Sequence, residues 1–421
     1  MKVLIISHNP MGGDSNMGKT LQSYFGAFSS GELAQFYIHP EDVPEDSRCR
    51  NCYRFTDGDA LRTWIPWAGG REKTGLTGAV YQYGRRRTAG IYLLRNLLWK
   101  FCRRDGDAFR NWVDGFSPDV VFLASGDYAF LYEVALAVAD RKKIPLAVSC
   151  MDDYYLHNRN AGSVLGRLVH RSFLKTVRKT MARAGGIFTI CPAMKTEYEA
   201  LFGKPCDILH TPAPIWETGT GNKRTGISYI GNLGFDRDEQ LARMGRALQS
   251  LNDPKLPQFI DVYSQEQDPQ RLRLMTPENG IRFHGGISSD RVQEVMESSM
   301  AVIHTESFDE QMQDLVRFSV STKIPESLRN GPCIIAYGPR GIASMDYLES
   351  FGAAYRITEE AGPEAGLEEI LTNADLRENI LRNARTLAEE NHSIRRNPTL
   401  VRKRLEEICK AWKREYEGNP D

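Results

Sequence analysis

The sequence predicts an α/β protein made of two Rossmann-like domains facing a cleft. Three observations predict it. Apolar runs of strand length alternate with helical stretches almost from end to end, the pattern of parallel sheets with crossover helices. The chain has 421 residues, too many for one ordinary core. A stretch rich in Pro, Gly and Thr with no apolar period, "PAPIWETGTGNKRTG" (212–226), divides the alternation into two series of similar size. The domains expected are therefore 1–218, with an insertion at 40–118, and 219–396. A C-terminal helix over 397–416 is free to return to the first domain.

The first series begins with "KVLIIS" (2–7), a run apolar enough for a buried strand. It continues with "QFYIH" (35–39), "DVVFLAS" (119–125), "PLAVSC" (145–150), "GIFTIC" (186–191) and "DILHTP" (207–212). The second series is "ISYIGN" (227–232), "FIDVYS" (259–264), "IRFHGG" (281–286), "AVIHTES" (301–307) and "CIIAYGP" (333–339). Helical stretches at 364–391 and 397–416 close the chain.

Composition narrows the class. Hydrophobic residues make up 41% and charged residues 26%, as in a water-soluble globular protein. No apolar run approaches the ~18 residues of a membrane span, and no basic n-region precedes the first strand. A cytoplasmic address is expected, with room for contact at the inner face of a membrane. Net charge is zero, yet residues 1–218 carry +6 and the remainder −6. That asymmetry suggests an anionic partner for the first half. Eight cysteines at that address are expected to be reduced. Cys49 and Cys52 form a lone C-x-x-C with no second pair at zinc-site spacing, so it reads as incidental.

"GGDSNMGKT" (12–20) contains G-x-x-x-x-G-K-T, the spacing of a phosphate-cradling P-loop. A true P-loop begins where its strand ends, whereas "HNPMG" intervenes here. The favoured reading is an open turn of Gly12, Gly13 and Gly18, with Lys19 and Thr20 on an ordinary first helix.

The most informative stretch is "VRFSVSTKIPESLRNGPCIIAYGP" (316–339). Ser319, Ser321, Thr322 and Lys323 precede or open a helix, and a helix N-terminus attracts phosphate. Glu326 lies one turn further in, and "NGP" (330–332) stops the helix. "STKIPESLRNGPCIIA" resembles a segment, S-x-K-x-x-E followed by G-x-P, of GT-B glycosyltransferases of the family 4 type. "ISYIGNLGFDRDEQL" (227–241), 281–307, "MKVLIISHNPMGG" and 188–212 are similar to other parts of that family, in the same order.

The resemblance implies a GT-B architecture. It also implies a transferase moving a hexose from a nucleotide-diphosphate sugar to a glycan or lipid-linked acceptor, with retention, in cell-surface polysaccharide synthesis. Ser321, Thr322 and Lys323 would hold the donor diphosphate, and Glu326 the ribose. Gly231, Asn232 and Arg237 would line the same pocket, and Gly285 would receive the base. Gly13 would let backbone approach the donor; Gly12 and His8 would lie on the acceptor side, though a lone histidine there reads more readily as a buried, satisfied one. Many relatives carry a glutamate where this chain has Phe318, which leaves the sugar open. Asp152 and Asp153, at the end of "PLAVSC", are the candidate carboxylates for stabilising an oxocarbenium-like state or taking the acceptor proton. No cofactor and no essential metal are expected, because Lys323, Arg237 and a helix N-terminus can meet the leaving-group charge. A nucleotide-sugar epimerase or hydrolase, a P-loop switch and a silent subunit stay open as alternatives.

"GRRRTAGIYLLRNLLWKFCRR" (84–104) carries seven basic residues and no acid. Arg85, Arg86, Arg87, Arg103 and Arg104 suit an anionic membrane surface, with peripheral docking expected. Ile91, Leu94, Leu98 and Phe101 recur at helical spacing. The basic helix 165–185 reads instead as a core helix with a solvated face. No nucleic-acid recognition module is present.

Overall fold

The computed structural model describes residues 1–13, 15–64, 89–102, 106–156, 162–213, 224–359 and 362–417. Arg85, Arg86, Arg87, Arg103 and Arg104 lie outside them, as does most of the 212–226 stretch. The chain divides into two compact units, Met1–Leu209 with Arg395–Asp421, and His210–Ile394.

In the first unit the elements run β1 (Val3–Ser7), α1 (Asn16–Tyr24), β2 (Leu33–Tyr37), β3 (Asn51–Arg54), α2 (Asp57–Trp64), α3 (Ala89–Phe101), α4 (Asp107–Phe116), β4 (Val120–Ala124), α5 (Ala129–Lys142), β5 (Leu146–Ser149), α6 (Val164–Arg183), β6 (Gly186–Thr189), α7 (Pro192–Phe202) and β7 (Cys206–Ile208). The seven strands form one parallel sheet in the order β3-β2-β1-β4-β5-β6-β7. β1, β2 and β4 are buried at every position, as strands covered by helices on both faces must be. Val3, Ile5, Tyr24, Phe25, Phe122 and Phe188 form the core of one face.

Residues 40–118 are more than an insertion. Among the described residues they supply β3, which pairs with β2 at the sheet edge, followed by three helices. "NCYR" has no apolar alternation, so a half-exposed edge strand gave no periodic signal.

The second unit runs β8 (Ile227–Ile230), α8 (Arg237–Ser250), β9 (Ile260–Tyr263), α9 (Pro269–Leu272), β10 (Ile281–Gly285), α10 (Ser289–Ser298), β11 (Ala301–Thr305), α11 (Glu310–Val316), α12 (Lys323–Asn330), β12 (Cys333–Tyr337), α13 (Ala343–Ser350), β13 (Tyr355–Ile357), α14 (Pro363–Thr372) and α15 (Ala374–Asn391). Its parallel sheet has the order β10-β9-β8-β11-β12-β13, with a separate apolar core on each face. The predicted helix over 364–391 is two helices. Asn373 breaks it, its side chain accepting from the Leu376 N–H as the cap of α15.

The last helix, α16 (Arg396–Glu417), packs on the first unit. Arg402 pairs with Glu32 at 2.6 Å, and Arg404 pairs with Asp207. The Arg402 guanidinium holds the Glu32 carboxyl well below the usual range. Ile408 seats against Gly186, where an added Cβ would come within 2.3 Å of it.

Candidate functional site

In an open parallel sheet, ligands bind outside the carboxyl ends of the strands, where the strand order reverses. The second unit reverses between β8 and β11; Gly231, Asn232 and Arg237 follow β8 at that point, whereas Gly285 ends the edge strand β10. Gly231 follows β8 and donates its N–H to the Tyr263 carbonyl at 3.1 Å. A Cβ at Gly231 would lie 2.9 Å from the Tyr229 hydroxyl oxygen, which explains the glycine. That hydroxyl donates to the Asn232 carbonyl at 2.6 Å, and the Asn232 side-chain oxygen accepts from the Gly234 N–H.

Two non-glycine residues in succession, Phe235 (φ 62°) and Asp236 (φ 56°), then adopt left-handed backbone. Such residues cost about 1–2 kcal/mol each and collect at functional sites. The effect is to launch α8 with Arg237 at its first position and turned back toward the sheet. Arg237 Nε donates to the Thr305 carbonyl at 3.2 Å, and Nε and Nη2 together grip the Glu306 carboxylate at 2.8–3.0 Å. The pair thus bridges the loops after β8 and β11, across the switch point. Glu306 is only 3% exposed. Burial opposes the Arg237 charge, but the Glu306 carboxylate outweighs it and holds the guanidinium pKa above its ordinary value. His304, hydrogen-bonded to Ser344 at 2.9 Å, is pushed down to about 3 by burial and by the Arg237 charge, and is neutral.

α12 begins at the same edge, since a crossover helix runs antiparallel to its strands. Ser321 Oγ accepts from the Lys323 N–H at 3.3 Å, and no side-chain bond caps the helix at Thr322. Lys323 Nζ and Glu326 Oε2 meet at 2.9 Å as an i, i+3 pair, both partly exposed. Gly331, with φ 84°, ends the helix. Gly285 stands at the end of β10 with φ 73°, and nothing lies within 4 Å of where a Cβ would be. Phe318 is 4% exposed, so a packed ring fills the position of the relatives' glutamate.

The first unit reverses between β1 and β4. The His8 ring, after β1, stacks on Tyr128, after β4, at 5.6 Å between centroids. The glycine-rich loop is folded in on itself. Gly12 N–H donates to the Gly18 carbonyl, Gly13 N–H to Asp46 Oδ1 and Gly18 N–H to Ser15 Oγ, each at 3.0 Å. A phosphate cradle needs such amides turned to the ligand. Lys19 is exposed on α1, and Thr20 is buried. A Cβ at Gly12 or Gly13 would lie 2.9 Å from Asp46 or Pro44, so these glycines admit the chain's own 44–47 segment. Gln35, which sequence reading passed over, holds the loop from β2. Its side chain accepts from the Met11 N–H and donates to Ser7 Oγ and the Asn9 carbonyl.

Asp152 and Asp153 follow β5. Asp153 Oδ1 accepts from the Tyr155 and Leu156 N–H groups and from the Tyr198 hydroxyl, at 2.8–3.1 Å. Burial pushes the Tyr198 hydroxyl pKa well up, so it remains a donor. Asp153 is therefore an anchor of its loop, and Asp152 Oδ1 accepts from the Asp153 N–H at 2.9 Å. Cys49 and Cys52 are free thiols with sulfurs 3.9 Å apart. Among the described residues no group of three or more His, Cys, Asp or Glu is placed to hold a metal ion.

Solved structures share this fold. The chain matches the Anabaena protein HepE in complex with UDP at a TM-score of 0.63 and 12% identity, over 97% of this chain and 100% of that one. It matches the α,α-trehalose 6-phosphate synthase of Burkholderia multivorans at 0.63 and 12%, over 100% and 99%. It also matches WaaG, a glycosyltransferase involved in lipopolysaccharide biosynthesis, at 0.57 and 13%, over 97% and 99%. These are GT-B glycosyltransferases, and this chain has their α/β fold of two parallel sheets with interleaved helices. A scan against protein-family descriptions and a search of curated protein sequences find no match.

Proposed function

We propose that this protein is a glycosyltransferase of the family 4 type. It moves a hexose from a nucleotide-diphosphate sugar to a glycan or lipid-linked acceptor, with retention, in cell-surface polysaccharide synthesis. The observation that supports the reading is that α8, which opens with Arg237, and α12, which opens with Lys323 after Ser321 and Thr322, both start at the carboxyl edge of one sheet. HepE, of the same fold, has been solved with UDP-glucose as well as UDP, which supports a donor of this kind.

In this reading the Lys323 ammonium and the Ser321 and Thr322 hydroxyls, at the positive end of the α12 dipole, take the diphosphate. The Lys323–Glu326 pair parts on binding, which releases Glu326 to the ribose hydroxyls. Arg237, fixed in place by Glu306 through Nε and Nη2, offers Nη1 as a donor from the other side of the switch point. Asn232 and Gly231 shape the pocket wall, and Gly285 leaves room for the base. The charge that develops on the departing diphosphate is met by these fixed groups. Asp152 is the carboxylate assigned to the reacting sugar, while Asp153 secures the loop that carries it. Gly12 and Gly13 act by shaping the β1–α1 loop, with His8 beside it.

The test is incubation with UDP-, GDP-, dTDP- and ADP-hexoses, with and without a lipid-linked glycan acceptor. Acceptor-dependent release of nucleoside diphosphate and a new glycoside are expected. Release of free sugar without any acceptor assigns the fold to a hydrolase instead.

A further inference from the structure

α3 is inside out. Three of its polar side chains, Tyr92, Arg95 and Trp99, point into the first unit, where Arg95 is 9% exposed and pairs with Asp57 at 3.0 Å. Trp99 donates to the same carboxylate at 2.7 Å, and Tyr92 donates to Asp127. The Arg95 guanidinium lies 4.1 Å from the Tyr128 ring centroid. With the polar face spent inward, Leu93, Leu94 and Leu97 are turned to solvent, Leu94 at 68% exposure. α6, which packs against α3, exposes Val164, Leu165 and Leu168 on its first turns. These six are the majority of the eleven large apolar side chains exposed among the described residues, so they are concentrated and not scattered.

The same helices carry a one-signed charge. From Val164 to Arg183, α6 has six Lys and Arg residues and no acid; α3 has no acid and one exposed basic residue, Lys100. Along the outward stripe of α6 the apolar turns come first, and Arg171, Lys175 and Lys179 follow, all exposed. The sequence had suggested a core helix with a solvated face at 165–185. Phe173 and Val177 do pack inward, but Leu165 and Leu168 do not.

We infer that the α3–α6 face docks on an anionic lipid bilayer. Exposed leucines beside a basic stripe fit the boundary between acyl chains and negatively charged headgroups. A second copy of the chain would set two acid-free basic helices against each other. Neither helix spans: among the described residues none is long and apolar enough to cross a membrane. The docking is independent of the donor site in the second unit, so either reading can fail alone.

The experiment is co-sedimentation of the full chain with phosphatidylcholine vesicles, with and without phosphatidylglycerol, at low and high salt. Binding only to the anionic vesicles, weakened by salt, is expected. The double variants Leu94→Ser/Leu168→Ser and Arg171→Glu/Lys175→Glu should each lower the partition coefficient about tenfold or more. Lys323→Ala, in the other unit, should sediment like the wild type. All these positions in the first unit are exposed, so circular dichroism and melting should match the parent. Absence of wild-type binding, equal binding to neutral vesicles, or wild-type binding by both double variants overturns the inference. So does a wild-type dimer that the leucine variant dissolves, which would assign the face to a second copy.

Discussion

Arg237 and Glu306, 69 positions apart in the chain, form a bidentate ion pair that joins the loops after β8 and β11 across the switch point of the second sheet. Removing one member of a buried pair leaves the other uncompensated, at a cost of about 3–5 kcal/mol. Glu306→Ala should therefore lower the melting temperature markedly. Glu306→Gln, which still accepts from the guanidinium, should melt closer to wild type while weakening nucleotide binding through a less firmly held Arg237. Differential scanning calorimetry and nucleotide titration on the two variants separate these effects. Equal melting of Glu306→Ala and wild type would contradict the structural role.

The two aspartates after β5 should respond differently. Asp153→Asn keeps an oxygen acceptor for Tyr198 and the two backbone amides, so it should fold normally, whereas Asp153→Ala leaves three donors unmet and should lose about 1–3 kcal/mol or more. Asp152→Asn should fold normally and lower kcat, with donor KM little changed. Urea melts and steady-state kinetics check both. Full activity of Asp152→Asn would remove its assigned role.

Lys19→Ala addresses the P-loop spacing. An exposed lysine on α1 should cost within ~0.5 kcal/mol and leave glycosyl transfer near normal. Neither protein should hydrolyse ATP or GTP. Magnesium-dependent triphosphate hydrolysis that vanishes in the variant would contradict the folded-in loop.

Three histidines of the second unit set an acid limit on stability. His210 is pushed down to about 4 by burial, and His304 and His392 to about 3. His392 Nδ1 donates to the Thr211 carbonyl at 2.8 Å, and its Nε2 accepts from the Tyr347 hydroxyl at 2.9 Å, an arrangement only the neutral ring satisfies. Unfolded, each would titrate near 6.5. The unfolded chain thus binds more protons below that pH, so their contribution is complete above about 6.5 and is lost as pH falls toward 4–3. The loss is up to about 1.4 kcal/mol per pH unit for each. Melting of this unit followed from pH 7.5 to 5 should show a steady fall. His392→Gln should flatten the slope, and a pH-independent melting temperature would contradict the account.

What was legible in the sequence follows from which interactions are local. β1, β4 and β8 were plain because buried parallel strands are continuous apolar runs, and α12 because its start, its glycine stop and the next strand lie within one short stretch. β3 was missed because an edge strand need not alternate. Glu306 was not singled out, because its bond to Arg237 depends on strand order, which no local pattern encodes. On α3 the spacing of Ile91, Leu94 and Leu98 suggested one apolar face. Asp57 supplies the buried counter-charge that draws Arg95 inward, and the leucines turn out as a consequence. Asp153 and Gly12 were noticed for their residue type, yet their partners, Tyr198 and Asp46, come from elsewhere in the chain.

The central claim is that the carboxyl edge of the second sheet binds a nucleoside diphosphate through Lys323. Isothermal titration of UDP, GDP, dTDP and ADP into wild type and Lys323→Ala tests it most directly. A charge-assisted phosphate contact is worth about 1.5–3 kcal/mol, and the exposed Lys323–Glu326 pair adds under about 1 kcal/mol to stability. The account predicts that one of the four diphosphates binds the wild type, that the variant binds it roughly tenfold or more weakly, and that both proteins melt at nearly the same temperature. Binding of none of the four, or equal affinity in the two proteins, would contradict it.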